Sequence, residues 1–231
     1  MRNVIVNADD FGLCRGVNYG IIDSHRFGIV NSTTMLVNMP GTLHAVELAK
    51  IYPELQVGIH LTLTCGRPVS GGVQSLVNER GLFRYTSGIF EEKEINVDEV
   101  EMEWEAQMDK FLSFGLPLSH IDSHHHVHSF RPLIRVVKRL SERFGVPVRN
   151  VPCDGFDAMN VLTDRFSMDF YGDGVTVEGL KRILDSRDEG ETLEIMCHPA
   201  YVDTYLKGNS SYCEQRLREL DVLTGIKEWS F

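Results

Sequence analysis

Asn7-Ala8-Asp9-Asp10-Phe11-Gly12 follows directly on the apolar run Val4-Ile5-Val6, and its reading decides the fold. A short β-branched run this early reads as a first strand, buried in a parallel sheet. Two adjacent carboxylates at its C-terminal end are costly to bury unless something positive lies beside them. Parallel α/β folds build their sites at the C-terminal ends of strands. The stretch therefore predicts a parallel sheet with a cation at its rim.

Working outward, strands and helices alternate. Arg15 to Phe27 has helical spacing and is ended by Gly28. A second strand holds Thr33-Thr34-Met35-Leu36-Val37, and a second helix, Thr42 to Ile51, is stopped by Pro53. Val57-Gly58-Ile59-His60-Leu61-Thr62-Leu63 is a third strand. Residues 66–96 break the pattern. They are glycine-rich and weakly periodic, with Leu82-Phe83 and Tyr85 among them. Such a segment in a compact domain reads as a binding loop, here a substrate loop whose aromatics could stack on a ligand. Asn96 with Glu99 opens a helix to Phe114 with a capping box. Its stripe of Val100, Trp104, Met108, Phe111 and Leu112 reads as core. Further strands are expected at 118–124, 146–151, 166–171 and 192–198. Helices are expected at 130–144 and 176–185, and after Ser211-x-x-Glu214. The whole, residues 1–231, reads as one α/β domain: a distorted, TIM-like (β/α) barrel of about seven strands. No G-x-G-x-x-G or P-loop pattern occurs.

Charge and cysteines narrow the partners. A net charge of −10 argues against nucleic acid and against an anionic membrane surface. No apolar stretch approaches the ~18 residues that span a bilayer. The five cysteines form no C-x-x-C, so neither a disulfide framework nor a zinc knuckle is indicated. Reduced thiols and the short first apolar run lead to the expectation of a cytoplasmic protein.

Four groups fall at predicted strand ends: Asp9-Asp10, His60, the run His120-Ile121-Asp122-Ser123-His124-His125-His126-Val127-His128, and Cys197-His198-Pro199. A lone histidine in a strand is usually structural. Four groups at the same end of their strands point instead to one rim. A mixed Asp and His set suits Zn²⁺, Mn²⁺ or Co²⁺, and one carboxylate with two imidazoles leaves positions open for water and substrate. The second aspartate is then free to take a proton from that water. Not all five histidines of 120–128 can bind one ion, so several of them hydrogen-bond or shape the pocket; the roles of His125, His126 and His128 stay open, and as surplus histidines they would also allow a second or third metal. If the strand continues, His124 and His126 share a face; on a helix, imidazoles three and four apart would. Asp122 is a candidate for orienting a liganding histidine.

The motifs Asn-Ala-Asp-Asp-Phe-Gly (7–12), Gly-Ile-His-Leu-Thr (58–62), 120–128 and Cys-His-Pro (197–199) resemble those of the YdjC-like carbohydrate deacetylases, relatives of the NodB-type polysaccharide deacetylases. The resemblance runs from residue 3 to about 225. It implies a distorted barrel, a divalent cation (magnesium by family description, zinc or cobalt by ligand type) and often a homodimer. It implies Asp10, His60 and His124 as metal ligands, Asp9 as catalytic base and His198 as general acid. Arg149 falls where related deacetylases steady the base. The expected reaction removes acetyl groups from N-acetylated amino sugars or short chitooligosaccharides. A metal-dependent phosphoesterase on the same scaffold is the first rival, and a non-catalytic carbohydrate-binding protein the second.

Overall fold

The computed structural model describes residues 3–156 and 159–226. Among the described residues, six strands form one parallel sheet: β1 (Val4–Phe11), β2 (Ser32–Met35), β3 (Gln56–Leu61), β4 (Ile121–Ser123), β5 (Arg165–Ser167) and β6 (Leu193–Cys197). The spatial order is β4-β3-β2-β1-β6-β5. Every residue of β2 and β6 is buried, as expected of strands covered on both faces. The helices are α1 (Arg15–Phe27), α2 (Thr42–Ile51), α3 (Val97–Ser113), α4 (Ile134–Phe144), α5 (Val177–Asp185), α6 (Thr204–Asn209) and α7 (Glu214–Gly225). Among the described residues, no helix is long and apolar enough to cross a membrane.

The sheet curls into a half-barrel of six strands, where the sequence predicts a barrel of about seven. The missing strand is the one expected at 146–151. There Val148 makes single parallel bridges, to Ile121 on one side and Val161 on the other. Pro147 has no N–H to donate, so its only ladder contribution is the carbonyl that accepts from Ile121 at 2.9 Å. Pairing does not propagate beyond one residue.

Local signals act as the sequence suggests at α3. Asn96 Oδ1 accepts the Glu99 N–H at 3.2 Å, and Asn96 Nδ2 donates to Glu99 Oε1 at 3.1 Å. Val100, Trp104, Met108 and Phe111 are buried, whereas Leu112 faces out. The cap expected from Ser211 does not form: α7 starts at Glu214, with Cys213 at its N-cap and no side-chain cap bond.

Residues 66–96 hold two single turns of 3-10 helix, Gln74–Leu76 and Ser87–Glu91, and one bridge between Val77 and Phe83. Buried Glu103 of α3 accepts the N–H groups of Val69 at 2.9 Å and Ser70 at 2.8 Å, which ties the segment down. Phe83 and Tyr85 are buried in the core, so they are not offered to a ligand as expected.

Candidate active site

In a regular strand, consecutive side chains point to opposite faces. Asp9 and Asp10 escape that rule. The β1–β2 register shifts between Ala8 and Phe11, and Asp10 takes a left-handed backbone with φ 72°. This bulge turns both carboxylates into one cleft at the C-terminal end of the sheet. Gly12 completes the turn at φ 98°, where an added Cβ would lie 2.6 Å from the Leu36 carbonyl oxygen. The cleft encloses about 560 Å³ and is lined by Asp9, Asp10, His60, His124, His125, His126, His198 and Arg216, among others.

Asp10, His60 and His124 come together from three separate strand ends. Their nearest ligand atoms all lie within 4.8 Å of one another. Asp10 Oδ1 is 3.4 Å from His60 Nε2 and 3.0 Å from His124 Nδ1. Among the described residues, that buried oxygen has no partner in hydrogen-bond geometry. Its sister, Oδ2, accepts from Arg216 Nη2 at 2.6 Å. One aspartate oxygen is thus held by protein and the other is left facing two imidazoles, which fits a divalent cation. His60 pairs with Asp122 across the β3–β4 ladder, and its Nδ1 donates to Asp122 Oδ1 at 2.7 Å. This fixes the tautomer that presents Nε2 to Asp10. Burial opposes a charge on His60, but Asp122, Asp10 and Asp9 outweigh it and lift the imidazole to about 10. That proton stands where a cation would sit, and cation binding would expel it. A second cluster, Asp9, His60 and Asp122, is also close enough to hold an ion. Its oxygens are already taken up by Arg149, Thr34 and His60.

Asp9 is clamped by a fully buried arginine. Arg149 Nη1 donates to Asp9 Oδ2 at 2.7 Å and Nη2 to Oδ1 at 2.6 Å. The same guanidinium reaches Glu194 Oε1 at 2.8 Å through Nε and Asp122 Oδ2 at 2.9 Å. Burial alone would raise Asp9, but the charge and hydrogen bonds of Arg149 hold it well below the usual carboxylate range. Glu194 has the weaker share of the arginine, and burial pushes it up to about 7.

His198 lies across the cleft, with Nε2 4.0 Å from Asp9 Oδ2. Burial and the charge of Arg216 push it down to about 3, so it rests neutral. Behind it stands Glu219, whose Oε2 accepts the His198 backbone N–H and whose Oε1 is 4.0 Å from His198 Nδ1. Arg216 and Glu219 are missed by sequence reasoning. A signal was present: Arg216, Glu219, Leu220 and Leu223 form the buried face of α7, and two charges on such a face need partners.

The histidine run departs from both expected patterns. β4 stops at Ser123, and His125 and His126 both take left-handed backbones, at φ 55°. His124 therefore reaches Asp10 alone. His126 packs edge-on against Phe166, with ring centroids 5.5 Å apart, and His125 Nδ1 lies 3.1 Å from the Thr64 hydroxyl. His128 is fully buried, 2.6 Å from Ser123 Oγ. Burial pushes His128 down to about 3 and His120 to about 4. Both are near 6.5 when unfolded, so the unfolded chain binds more protons in acid. Their share of stability is present above pH 6.5 and drains as pH falls towards 4. Thermal unfolding followed from pH 8 to pH 4 should show Tm dropping steeply below about pH 6, and replacing His128 with asparagine should flatten that drop.

The arrangement defines a class: a curled parallel α/β protein with carboxylates and histidines gathered at its strand C-termini. The family model described as YdjC-like protein matches residues 3–227, and the chain belongs to that family. A carbohydrate deacetylase of Halalkalibacterium halodurans is 48% identical over 97% of this chain and 96% of its own length. A chitooligosaccharide deacetylase of Proteus mirabilis is 43% identical over 96% of this chain and 90% of its own. A solved structure from Enterococcus faecalis, provisionally described as a cellobiose-phosphate cleavage protein, has a TM-score of 0.89 at 40% identity, covering 96% of this chain and 90% of that one.

Proposed function

We propose that this chain is a divalent-cation-dependent carbohydrate deacetylase that hydrolyses the amide of N-acetylated amino sugars or short chitooligosaccharides and releases acetate. The observation that carries the reading is Asp10 Oδ1 facing His60 at 3.4 Å and His124 at 3.0 Å, beside the Asp9–His198 pair. The names borne by the similar enzymes supply the substrate class.

Asp10, His60 and His124 are the residues that would hold the cation. Bound there, it would supply a Lewis acid for the amide carbonyl and acidify a water for attack. The chain's own groups do the rest. Asp9, ionised and fixed by Arg149, takes the water's proton. His198 rests neutral and faces Asp9 across 4.0 Å, so the proton it passes to the leaving nitrogen is the one Asp9 has collected. An amine leaves poorly until protonated, so base and acid are both required. Arg216 holds Asp10 Oδ2 so that Oδ1 alone faces inward. Thr86 and Ser87 line the cleft, which supports a substrate-loop role for residues 66–96.

The test is acetate release from N-acetylglucosamine and its short oligomers by chelator-treated protein, before and after adding back Zn²⁺, Co²⁺ or Mg²⁺. Activity should be absent after chelation and return with one of the ions. Phosphate release from sugar phosphates without acetate release would replace this reading with the phosphoesterase one.

A further inference from the structure

Tyr171 and Tyr212 stack face to face beside His198. Their ring centroids are 4.2 Å apart with an interplanar angle of 7°. Both rings meet the His198 imidazole edge-on, at 5.7 and 5.9 Å. The inner ring is fixed: Tyr212 donates to Glu219 Oε1 at 2.5 Å and accepts the Gly172 N–H at 3.1 Å. Tyr171 is different. One face is covered by Tyr212, yet the residue is 47% exposed and lines the cleft. A large aromatic ring left half open inside a polar cleft is an available contact surface, and its rigid backing lowers the ordering cost of using it.

We propose that the open face of Tyr171 is the platform on which the pyranose ring carrying the reacting acetamido group stacks. The inference rests on the deacetylase reading. A pyranose with equatorial substituents presents an apolar C–H face, which an aromatic ring matches and a polar wall does not. Position selects which ring of an oligosaccharide stacks. His198 must meet the nitrogen on the reacting sugar, and Tyr171 adjoins His198, so the platform serves that same sugar and not a neighbour along the chain. Tyr212 acts through Tyr171: it fixes the ring plane, and its hydroxyl ties the platform to the glutamate behind His198.

The experiment compares wild type, Tyr171→Leu and Tyr171→Phe. Leucine keeps apolar bulk without a ring, and phenylalanine keeps the ring. KM is measured for N-acetylglucosamine and its dimer, and binding of glucosamine, the deacetylated product, is followed by ligand-detected NMR titration. Tyr171→Leu should raise KM for both substrates and weaken glucosamine binding about five- to tenfold, with kcat within about twofold. Tyr171→Phe should restore both. Unchanged KM and glucosamine binding in Tyr171→Leu overturns the proposal, as does a loss confined to kcat or to the dimer. If wild type releases acetate from no N-acetylated sugar, the deacetylase reading falls by itself, and the glucosamine titration still decides the platform.

Discussion

Replacing Arg149 with methionine is expected to cost about 3–5 kcal/mol of folding stability, the range for stranding buried charges. The guanidinium is fully buried and is shared by Asp9, Asp122 and Glu194. Methionine fills much of the volume but takes away the guanidinium that all three carboxylates share, leaving the His60 imidazole beside Asp122 to offset them. Whole domains are stable by only about 5–15 kcal/mol, so the loss is a large fraction of the total. The urea midpoint should fall sharply while the slope stays unchanged. The loss should shrink in acid, where protonated carboxylates need no partner. It should also shrink when Glu194 is changed to glutamine in the same chain, because one stranded charge is gone. A midpoint within experimental scatter of wild type would show that the network is better solvated than its burial implies.

The second large effect separates chemistry from cation binding. Asp9→Asn and His198→Ala should each lower kcat by about 10²–10⁴-fold, the usual worth of a general base or acid. Both should still bind one equivalent of cation, because neither side chain belongs to the Asp10–His60–His124 cluster. Asp10→Ala and His60→Ala should lose the cation together with the activity. Calorimetry of Zn²⁺ binding, run beside acetate release, distinguishes the pairs. Equal loss of cation from all four variants would erase the proposed division of roles.

Much of the site is legible in the sequence because its parts lie at strand ends, and strands announce themselves as short β-branched runs. Parallel pairing then carries Asp10, His60 and His124 to one rim without further information. What periodicity does not reveal is local backbone geometry. A regular strand would send Asp9 and Asp10 to opposite faces, and only the bulge with Asp10 at positive φ brings them together. The two left-handed histidines break the 120–128 run in a way neither helix nor strand spacing anticipates. Pro147 converts an expected strand into an isolated bridge, which leaves six strands in the half-barrel. The aromatics of residues 66–96 look ligand-facing in a glycine-rich stretch, but Phe83 and Tyr85 anchor that stretch to the core. Arg216 and Glu219 lie far along the chain from their partners Asp10 and His198, so no spacing rule links them.

Whether Asp10, His60 and His124 share one cation is decided most directly by anomalous diffraction at the zinc absorption edge, on crystals grown with one equivalent of Zn²⁺. A single strong peak is expected, bonded by Asp10 Oδ1, His60 Nε2 and His124, with Asp9 still paired to Arg149 and outside bonding distance. No peak in the cleft, or an ion held without Asp10, would contradict that expectation.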